Sequence, residues 1–481
     1  MKLSRRKLLK SGLAVSTAFA GLASLAACGS DRQSPQLTID KYGKLLPDPK
    51  GILDLPKGFK YKILSRPGEK MSDGLRVPAD PDGMAAFAGK NGTTILMRNH
   101  EINAKDLQKE DVRAGKPISP FGKNDELVER IDRSKIYDFH KSGRAMAGGV
   151  TGLVIDPGPL HVKQQWLALS GTYDNCAGGP TPWNSWISCE ETRTRAGEIG
   201  AKDHGWAFEV IADPELGLQT PVPLKGLGRF KHEAAAVDPD TGIIYLTQDD
   251  WGHDSLLYRF VPDIPGEMVS IDSGRFQALM IIGQPKRDLR NWPLSKGKNV
   301  RVEQWLDVAW VDIADRDNPD NDIEDRGVEA GAAIFSRGEG IWYGDQELYF
   351  ASTDGGARKL GQIWRYVPSQ FEGTEFETSE PGRLQLFFES PDKAVMEYAD
   401  NITITPWGDI LICEDEYSDG NGDNYLRGIT PQGKIYTLAR SALKQKNEFC
   451  GACFGPDGKT LYFNLHQNGL TIAVRGPWNE L

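Results

Sequence analysis

One two-strand pattern recurs six times along this chain and limits the possible folds more than any other feature. Each copy has a strand, a turn rich in Pro, Asp, Asn or Gly, a second strand of β-branched and aromatic residues, and a polar or acidic end. The copies lead with Gly83, Cys176, Glu233, Glu339, Asp400 and Glu448. Six such hairpins predict an all-β fold, a six-bladed β-propeller in a single domain. The alternative is six independent surface hairpins in β-sandwiches.

Five of these leading residues are acids or a thiol. The innermost strand of each propeller blade lines the central channel. If the first strand of each hairpin is innermost, the leading side chains converge at one channel mouth, and they are Cys176, Glu233, Glu339, Asp400 and Glu448. Buried acids and thiolates are strongly destabilising without compensating cations. The pattern therefore predicts a centre with several metal ions, unless the hairpins are independent and their acids are solvated.

Residues 175–191 contain the side chains of a mixed metal site. Cys176 precedes the pair Gly178-Gly179, and a short apolar strand then ends at Glu190-Glu191. Two glycines let the backbone approach another group closely, as a buried ion requires. Two adjacent carboxylates repel one another unless a cation lies between them. A thiol and carboxylates together provide a soft ligand and hard ligands.

The cysteines indicate one free thiol. Cys28 belongs to the N-terminal signal, and five of the six cysteines remain. An odd number in an exported protein leaves at least one thiol without a partner, and we assign Cys176 to that role. Cys450 and Cys453 have CxxC spacing, but no second pair supports a structural zinc site. They are interpreted as either a disulfide or two buried small apolar residues.

Residues 1–28 are predicted to be a twin-arginine export signal with a lipobox. Arg5-Arg6 precedes an apolar run that is too short and too weakly hydrophobic for a transmembrane helix. The run ends Leu25-Ala26-Ala27-Cys28, which predicts acylation of Cys28, the alternative being ordinary cleavage nearby. Residues 29–481 are then the propeller domain. We expect export by the twin-arginine translocase to the periplasm or cell surface, with a lipid anchor.

The amino-acid composition restricts the possible folds and the possible binding partners. The 53 glycines and 29 prolines favour many turns and short strands. The net charge of −10 argues against a nucleic-acid partner and provides no basic membrane patch, so we expect membrane attachment only through Cys28.

Polar insertions at 104–144, 312–329 and 371–383 separate the hairpins, and the first predicts one or two surface helices. Residues 419–423 resemble a calcium loop, but are interpreted as a solvated turn.

Six segments together resemble the motifs of the PhoX alkaline phosphatase family. They occur in order over nearly the whole mature chain, at 175–191, 228–233, 337–340, 400–402, 413–415 and 451–458. The resemblance implies a six-bladed propeller whose mouth holds Fe³⁺ and Ca²⁺. It implies Cys176 and Glu233 as iron ligands. The full set of predicted metal ligands is Cys176, Glu191, Glu233, Glu339, Asp400 and Glu101. Arg337 matches the motif arginine that faces phosphate, and Arg440 is a second candidate for that role.

The predicted function is that of an exported, metal-dependent alkaline phosphatase that hydrolyses small phosphomonoesters. Clustered cations neutralise a phosphate dianion, and arginines bind it through planar, bidentate contacts. A Gly-rich phosphate loop, a GxSxG elbow and an HExxH motif are all absent from the sequence. We expect a monomer. His232 could act as a general acid or could orient a ligand.

Two alternatives remain at this point. One is a calcium-dependent propeller hydrolase of another class, a lactonase or a phytase. The other is a non-catalytic exported binding propeller, which has no reason to gather acids on its axis. Cys176 distinguishes the predicted phosphatase from a lactonase, because a lactonase needs no thiol ligand. The sequence also departs from the family pattern at Gly338 and His466, which leaves the substrate range open.

Overall fold

Hairpins of short strands dominate the structure. The computed structural model describes residues 37–103, 112–113, 116–264, 273–293, 298–415, 423–444 and 447–478. These ranges contain 28 β-strands and one α-helix, so the all-β prediction is confirmed. In chain order the elements are β1 (Leu45–Leu46), β2 (Leu53–Pro56), β3 (Lys60–Ser65), β4 (Pro81–Ala88), β5 (Thr94–His100), β6 (Val112–Arg113), β7 (Lys116–Pro117), β8 (Gly148–Ile155), β9 (Val162–Thr172), β10 (Asn175–Pro180), β11 (Ser185–Glu190), β12 (Ala207–Ile211), β13 (His232–Val237), β14 (Ile244–Gln248), β15 (Leu257–Pro262), β16 (Gly274–Ile281), β17 (Trp305–Asp312), α1 (Ile323–Ala330), β18 (Gly338–Gly344), β19 (Glu347–Ser352), β20 (Gln362–Val367), β21 (Arg383–Glu389), β22 (Ala399–Ile404), β23 (Ile410–Glu414), β24 (Tyr425–Ile429), β25 (Ile435–Ser441), β26 (Phe449–Phe454), β27 (Thr460–Leu465) and β28 (Leu470–Arg475).

All six predicted hairpins are present as antiparallel pairs. They are β4-β5, β10-β11, β13-β14, β18-β19, β22-β23 and β26-β27. Within the described ranges these hairpins belong to five sheets of three or more strands, ordered β4-β5-β8-β9, β10-β11-β12, β13-β14-β15-β16-β17-β21-β20-β19-β18, β1-β2-β25-β24-β23-β22 and β26-β27-β28-β3. The strands β6 and β7 form a separate two-stranded ribbon.

The first strands of the six hairpins form a closed ring. Going around it, β4 contacts β10, β10 contacts β13, β13 contacts β18, β18 contacts β22, β22 contacts β26, and β26 contacts β4. The strand β3 completes the last sheet by pairing with β28, which ties the first part of the described chain to its end. The arrangement is therefore propeller-like, with the first strand of each hairpin innermost, as predicted.

The six hairpins do not belong to six separate sheets within the described ranges, because the third and fourth share one. Their sheets are joined into one sheet of nine strands, because Trp305 and Leu306 of β17 pair with Gln385 and Leu384 of β21. The segment that supplies β16 and β17 extends the third sheet outward. An extended edge has unpaired backbone N–H and C=O groups, and pairing with the edge of the fourth sheet satisfies them.

Apolar side chains fill the space between neighbouring sheets. Between the third and fourth hairpins, for example, Tyr245 and Leu257 are buried against Ile341, Phe350 and Trp364. All of them except Leu257 are β-branched or aromatic residues, which pack well on a pleated surface. The centre of the ring is narrow, and the residues that line it include Gly83, Ala177, Ala234, Gly340, Asn401 and Ala452, one from each first strand.

Some predictions concern parts of the chain that the structure covers only partly. The signal with Arg5-Arg6 and Cys28 and most of the 419–423 loop lie outside the described residues. Residues 37–481 form one compact unit. The helices expected in 104–144 are wrong for the described part of that insertion, which has short 3-10 turns at Val128–Arg130 and Arg133–Lys135. A helix long and apolar enough to span a membrane is absent from the described ranges.

Candidate metal centre

Each of the six first strands carries a β-bulge close to its start. In β4 the register shifts between Pro81 and Met84, and the same shift occurs in β10, β13, β18, β22 and β26. Two residues of the first strand then oppose one residue of the second strand. A bulge interrupts the alternation of side chains and re-aims one of them. The same local device is therefore repeated six times at one end of the ring, which we call the mouth.

The first bulged residue is an acid or a thiol in five of the six strands. The six residues are Asp82, Cys176, Glu233, Glu339, Asp400 and Gly451. The Cys176 Sγ atom lies 3.5 Å from Asp82 Oδ2 and 3.3 Å from Glu233 Oε1. Carboxylate oxygens of Glu233, Glu339 and Asp400 lie within 4.8 Å of one another. The structure thus brings together four of the five leading residues as predicted.

A second group of side chains comes from the residues that directly follow the second strands. They are Glu101, Glu191, Asp249, Asp415 and His466. Ligand atoms of Glu101, Glu191 and Cys176 lie within 4.8 Å of one another. The His466 Nε2 atom is 3.1 Å from Glu101 Oε2. We use the name acid–thiol cluster for nine residues whose ligand atoms lie near one another: Asp82, Glu101, Cys176, Glu191, Glu233, Glu339, Asp400, Glu448 and His466.

Glu448 reaches this cluster from a different position than predicted. It precedes β26, and the register places Gly451, not Glu448, at the position of the other leading residues. Its carboxylate nevertheless lies within 4.8 Å of ligand atoms of Asp82 and Cys450, and 3.6 Å from His466 Nδ1. The assignment of Glu448 as a leading residue is wrong, but its side chain does point to the mouth.

Burial and mutual repulsion make the acid–thiol cluster difficult to ionise. Burial, and then the charges of Glu191 and Asp400, raises the pKa of Glu233 well above its usual range. Burial, followed by the charge of Asp415, raises the pKa of Asp400 to about 7. Burial and nearby carboxylates also raise the pKa of the Cys176 thiol. Such a set of groups ionises together only when cations compensate its charge.

Asp82 carries an oxygen atom whose bonding capacity is unused. The residue is buried, and its Oδ1 atom has no hydrogen-bond partner among the described residues. The other oxygen, Oδ2, faces the Cys176 thiol. Leaving a buried carboxylate oxygen without a donor costs about 1–3 kcal/mol or more. A bound cation would remove that cost. The unpartnered oxygen of Asp82 therefore indicates that this set of donor atoms fits a metal ion.

Arg337 lies beside the cluster but is turned differently than expected. Its Nε and Nη2 atoms donate to the two oxygens of Asp249 at 2.8 and 2.5 Å, and Nη2 also donates to Glu339 Oε1 at 3.2 Å. The fork that we expected to face phosphate therefore binds Asp249. The guanidinium carbon also lies 3.7 Å from the ring centroid of Trp251.

The structure does not bring Arg440 to the cluster. Arg440 lies on β25, three strands away from β22, which carries Asp400. Its Nε and Nη2 atoms donate to Asp54 Oδ2 at 3.0 and 2.6 Å, and Nη1 is 3.6 Å from Asp423 Oδ1. Arg440 therefore links β25 to the neighbouring strand β2, on the outer side of the sheet that contains the fifth hairpin.

The profile of the family described as Alkaline phosphatase PhoX matches residues 40–469. The chain belongs to the PhoX alkaline phosphatase family. It is accordingly a phosphoric monoester hydrolase, as the motifs predicted. A search of curated proteins finds no match.

Among solved structures, the chain is similar to PhoX from Pseudomonas fluorescens in complex with vanadate, a transition-state analogue. The TM-score is 0.65 at 17% identity, over 89% of this chain and 96% of that chain. A gluconolactonase from Xanthomonas campestris has a TM-score of 0.37 at 12% identity, over 91% of this chain and 98% of that chain. The periplasmic gluconolactonase of Pseudomonas aeruginosa has a TM-score of 0.36 at 12% identity, over 68% of this chain and 74% of that chain. The first similarity supports the propeller-like fold of this PhoX-family protein.

Gly178 and Gly179 serve strand packing, not the approach of an ion as predicted. A Cβ atom on Gly178 would lie 1.9 Å from the carbonyl oxygen of Ile187 in β11. A Cβ atom on Gly179 would lie 1.8 Å from the carbonyl oxygen of Ala235 in β13. Both glycines are required because neighbouring strands approach β10 more closely than a side chain permits. The bulge before them is what positions Cys176.

The adjacent carboxylates of Glu190 and Glu191 have different environments. Glu190 accepts hydrogen bonds from the backbone N–H groups of Tyr173 and Gly205, each at 2.8 Å. The Nδ1 atom of His204 lies 2.7 Å from the same carboxylate. The expectation that a cation lies between the two glutamates is wrong, since only Glu191 joins the acid–thiol cluster.

All five cysteines in the described ranges are free and buried. The prediction that Cys176 is unpaired is confirmed. Cys450 and Cys453 do not form a disulfide. The second interpretation is confirmed for Cys453, which packs in an apolar cluster, but not for Cys450, whose Sγ atom lies within 4.8 Å of carboxylate oxygens of Asp82 and Glu448. His232 is also buried, with Nε2 at 2.9 Å from the Gly228 carbonyl oxygen, and burial lowers its pKa to about 4.

Sequence reasoning missed three residues near the mouth. Asp82 occupies in the first hairpin the place that Cys176 has in the second, so starting that hairpin one residue earlier finds it. Asp249 follows β14 as Glu191 follows β11, which is a second usable signal. Lys231 Nζ lies 3.9 Å from Glu191 Oε1, and nothing in the sequence indicates that contact.

Proposed function

We propose that this PhoX-family phosphatase hydrolyses phosphomonoesters with the help of Fe³⁺ and Ca²⁺ bound by the acid–thiol cluster. The observation that carries the proposal is the ring of six equivalent bulges, five of which direct an acid or a thiol to one mouth. Nearby cationic side chains, such as Arg337 and Lys231, are too few to balance these groups. Bound cations would supply the missing positive charge.

The donor atoms match these ions in kind. Cys176 beside Glu233 offers a thiolate and a carboxylate, a combination suited to iron. Glu233, Glu339 and Asp400 offer oxygen atoms, which suit Ca²⁺ as well as Fe³⁺. The proposed ligands are Cys176, Glu191, Glu233, Glu339, Asp400 and Glu101. The unsatisfied Oδ1 atom of Asp82 supports adding Asp82 to this set.

The residues of the chain would act on a phosphate at the mouth as follows. Bound cations supply charge neutralisation and Lewis acidity there. Because Asp249 binds Nε and Nη2 and so fixes the orientation of the guanidinium, Arg337 would donate to the phosphate oxygens from Nη1, not through the fork expected from the sequence. A donor that is already oriented loses less entropy when the substrate binds. The carboxylates of the cluster would hold the cations in place beside the phosphate.

Metal removal tests this function. We expect a calcium chelator to abolish release of inorganic phosphate from a phosphomonoester, and added Ca²⁺ to restore it. Zn²⁺ and Mg²⁺ should fail to restore it, because Ca²⁺ accepts six to eight oxygen ligands in flexible geometry whereas the other ions prefer fewer or more regular ones. Full activity after chelation, with no calcium or iron left in the protein, would refute the metal-dependent mechanism.

We also propose that the nine-stranded sheet counts as two blades of a six-bladed propeller. Its two edge strands are β13 and β18, and both are first strands of hairpins and members of the closed ring. The remaining four sheets contribute the other four first strands. On this interpretation residues 29–481 form one propeller domain. We also propose that this domain works as a monomer and without a nucleic-acid partner.

Export rests on the N-terminal sequence alone. We propose that the twin-arginine translocase recognises Arg5-Arg6 and that Cys28 is acylated, which would place the enzyme in the periplasm or at the cell surface on a lipid anchor. Several acyl chains are needed for stable attachment. Cys28→Ala should move the protein from the membrane fraction to the soluble periplasmic fraction. Unchanged membrane association of that variant would rule out the anchor.

A further inference from the structure

Trp251 lies at the mouth and is exposed to solvent. It belongs to the loop that follows β14, whose last residue, Gln248, pairs with His232 at the start of β13. The loop therefore starts beside Glu233, at the same end of the ring as the acid–thiol cluster. Trp251 is 54% exposed, which is unusual for the largest apolar side chain. Tryptophan is enriched at binding interfaces, because it combines a large apolar ring system with one polar N–H group.

The ring of Trp251 is held close to the group proposed to bind phosphate. The guanidinium carbon of Arg337 lies 3.7 Å from the ring centroid, so the two planes are in contact. Arg337 is itself fixed by two hydrogen bonds to Asp249, the residue two positions before Trp251. A phosphoryl group bound at Arg337 would thus have its organic substituent within reach of the tryptophan ring.

We propose that Trp251 contacts the organic part of the substrate and favours phosphomonoesters that carry a planar aromatic group, such as a nucleobase. The proposal rests on the proposed role of Arg337 in binding phosphate. Tryptophan offers a large, flat surface with only two rotatable bonds, so a ring can stack on it at little entropic cost. Stacking of a base on an aromatic side chain changes affinity by about tenfold or more. Trp251 is in this sense a specificity-determining residue.

A matched pair of substrates isolates the contact. Adenosine 5′-monophosphate and ribose 5-phosphate present the same kind of phosphate ester, but only the first carries a base. For Trp251→Leu we expect kcat/KM for the nucleotide to fall about tenfold, mainly through KM, because the leucine lacks a stacking face. The value for ribose 5-phosphate should change less than about twofold, and Trp251→Phe should retain most of the preference.

Two controls separate substrate contact from an effect on Arg337. Inhibition by inorganic phosphate, which has no organic group, should be unchanged in Trp251→Leu. Phe376→Ala removes another exposed aromatic side chain, 59% exposed, from the segment after β20 at the opposite end of the ring, and should leave both substrates unaffected.

Equal losses for both substrates, together with weaker phosphate inhibition, would overturn the proposal and show that Trp251 acts only through Arg337. Unchanged kinetics on both substrates in Trp251→Leu would overturn it as well. A wild-type enzyme that hydrolyses neither ester would instead overturn the proposed function, and this role with it.

Discussion

Arg337 illustrates how much of the site depends on single residues. Its backbone φ is 31°, in the left-handed region that a bulky side chain rarely adopts. Such a conformation costs about 1–3 kcal/mol and persists only where surrounding contacts enforce it. The paired hydrogen bonds to Asp249 provide that enforcement. The guanidinium is therefore held in one orientation beside Glu339.

Replacing Arg337 by lysine tests this orientation. Lysine keeps the charge but has no planar fork, so it cannot make the two parallel bonds to Asp249. We expect kcat/KM for a phosphomonoester to fall at least about tenfold in Arg337→Lys. Arg440→Lys is the matched control, because Arg440 binds Asp54 on an outer strand, and it should stay near the wild-type value. Wild-type efficiency of Arg337→Lys, or an equal loss in Arg440→Lys, would contradict this assignment.

At the scale of elements, the repeated β-bulge builds the mouth. The hairpins themselves were predictable, because their turns and β-branched strands recur with one pattern. The bulges were not, since an extra residue in a strand is a property of backbone pairing that the side-chain pattern does not encode. For this reason Asp82 was missed and Glu448 was assigned to a position that Gly451 occupies.

The close packing of first strands can be tested at Gly179. A methyl group there would lie 1.8 Å from the Ala235 carbonyl oxygen, so β10 and β13 would have to separate. We expect Gly179→Ala to lower the free energy of unfolding by about 2 kcal/mol or more. Gly158→Ala is the control, because a Cβ atom at that position meets nothing within 4 Å. Denaturant unfolding of both variants measures the difference, and equal stability would contradict the packing argument.

At the scale of the whole molecule, the closed ring holds the acid–thiol cluster together. The joining of two blades into one sheet could not be predicted, because pairing of β17 with β21 joins residues about 80 positions apart, as Trp305 and Gln385 show. The convergence of acids could be predicted, because it follows from the propeller itself. The identity of the neighbours Lys231 and Trp251 depends on loop paths that no local pattern specifies.

The buried carboxylates that the ring holds together should make the stability of the metal-free protein depend on pH. The pKa of Asp400 is about 7 in the folded protein, against an ordinary value of 3.8. Between these values the folded state binds more protons than the unfolded state, so metal-free protein should lose stability as the pH rises from about 4 to about 7. The pKa values of other acids of the cluster, such as Glu233, are also raised well above their usual range, and these acids add to the loss of stability. Bound cations should remove most of this dependence, since they stabilise the ionised carboxylates.

Thermal unfolding at about pH 5 and about pH 8, with and without chelator, measures the effect. The chelated protein should have the lower Tm at the higher pH, and the metal-loaded protein should change much less. Equal pH dependence of the two forms would mean that the carboxylates do not hold ions.

The most direct test of the central claim is elemental analysis of the enzyme purified after export by its own route. The wild-type protein should contain iron and calcium. Cys176→Ser should lose iron together with phosphatase activity, because a serine hydroxyl is a poor substitute for a thiolate ligand. Cys453→Ala should retain both, because Cys453 packs in an apolar cluster. An active wild-type enzyme without iron or calcium, or a Cys176→Ser protein with wild-type iron content, would contradict the account.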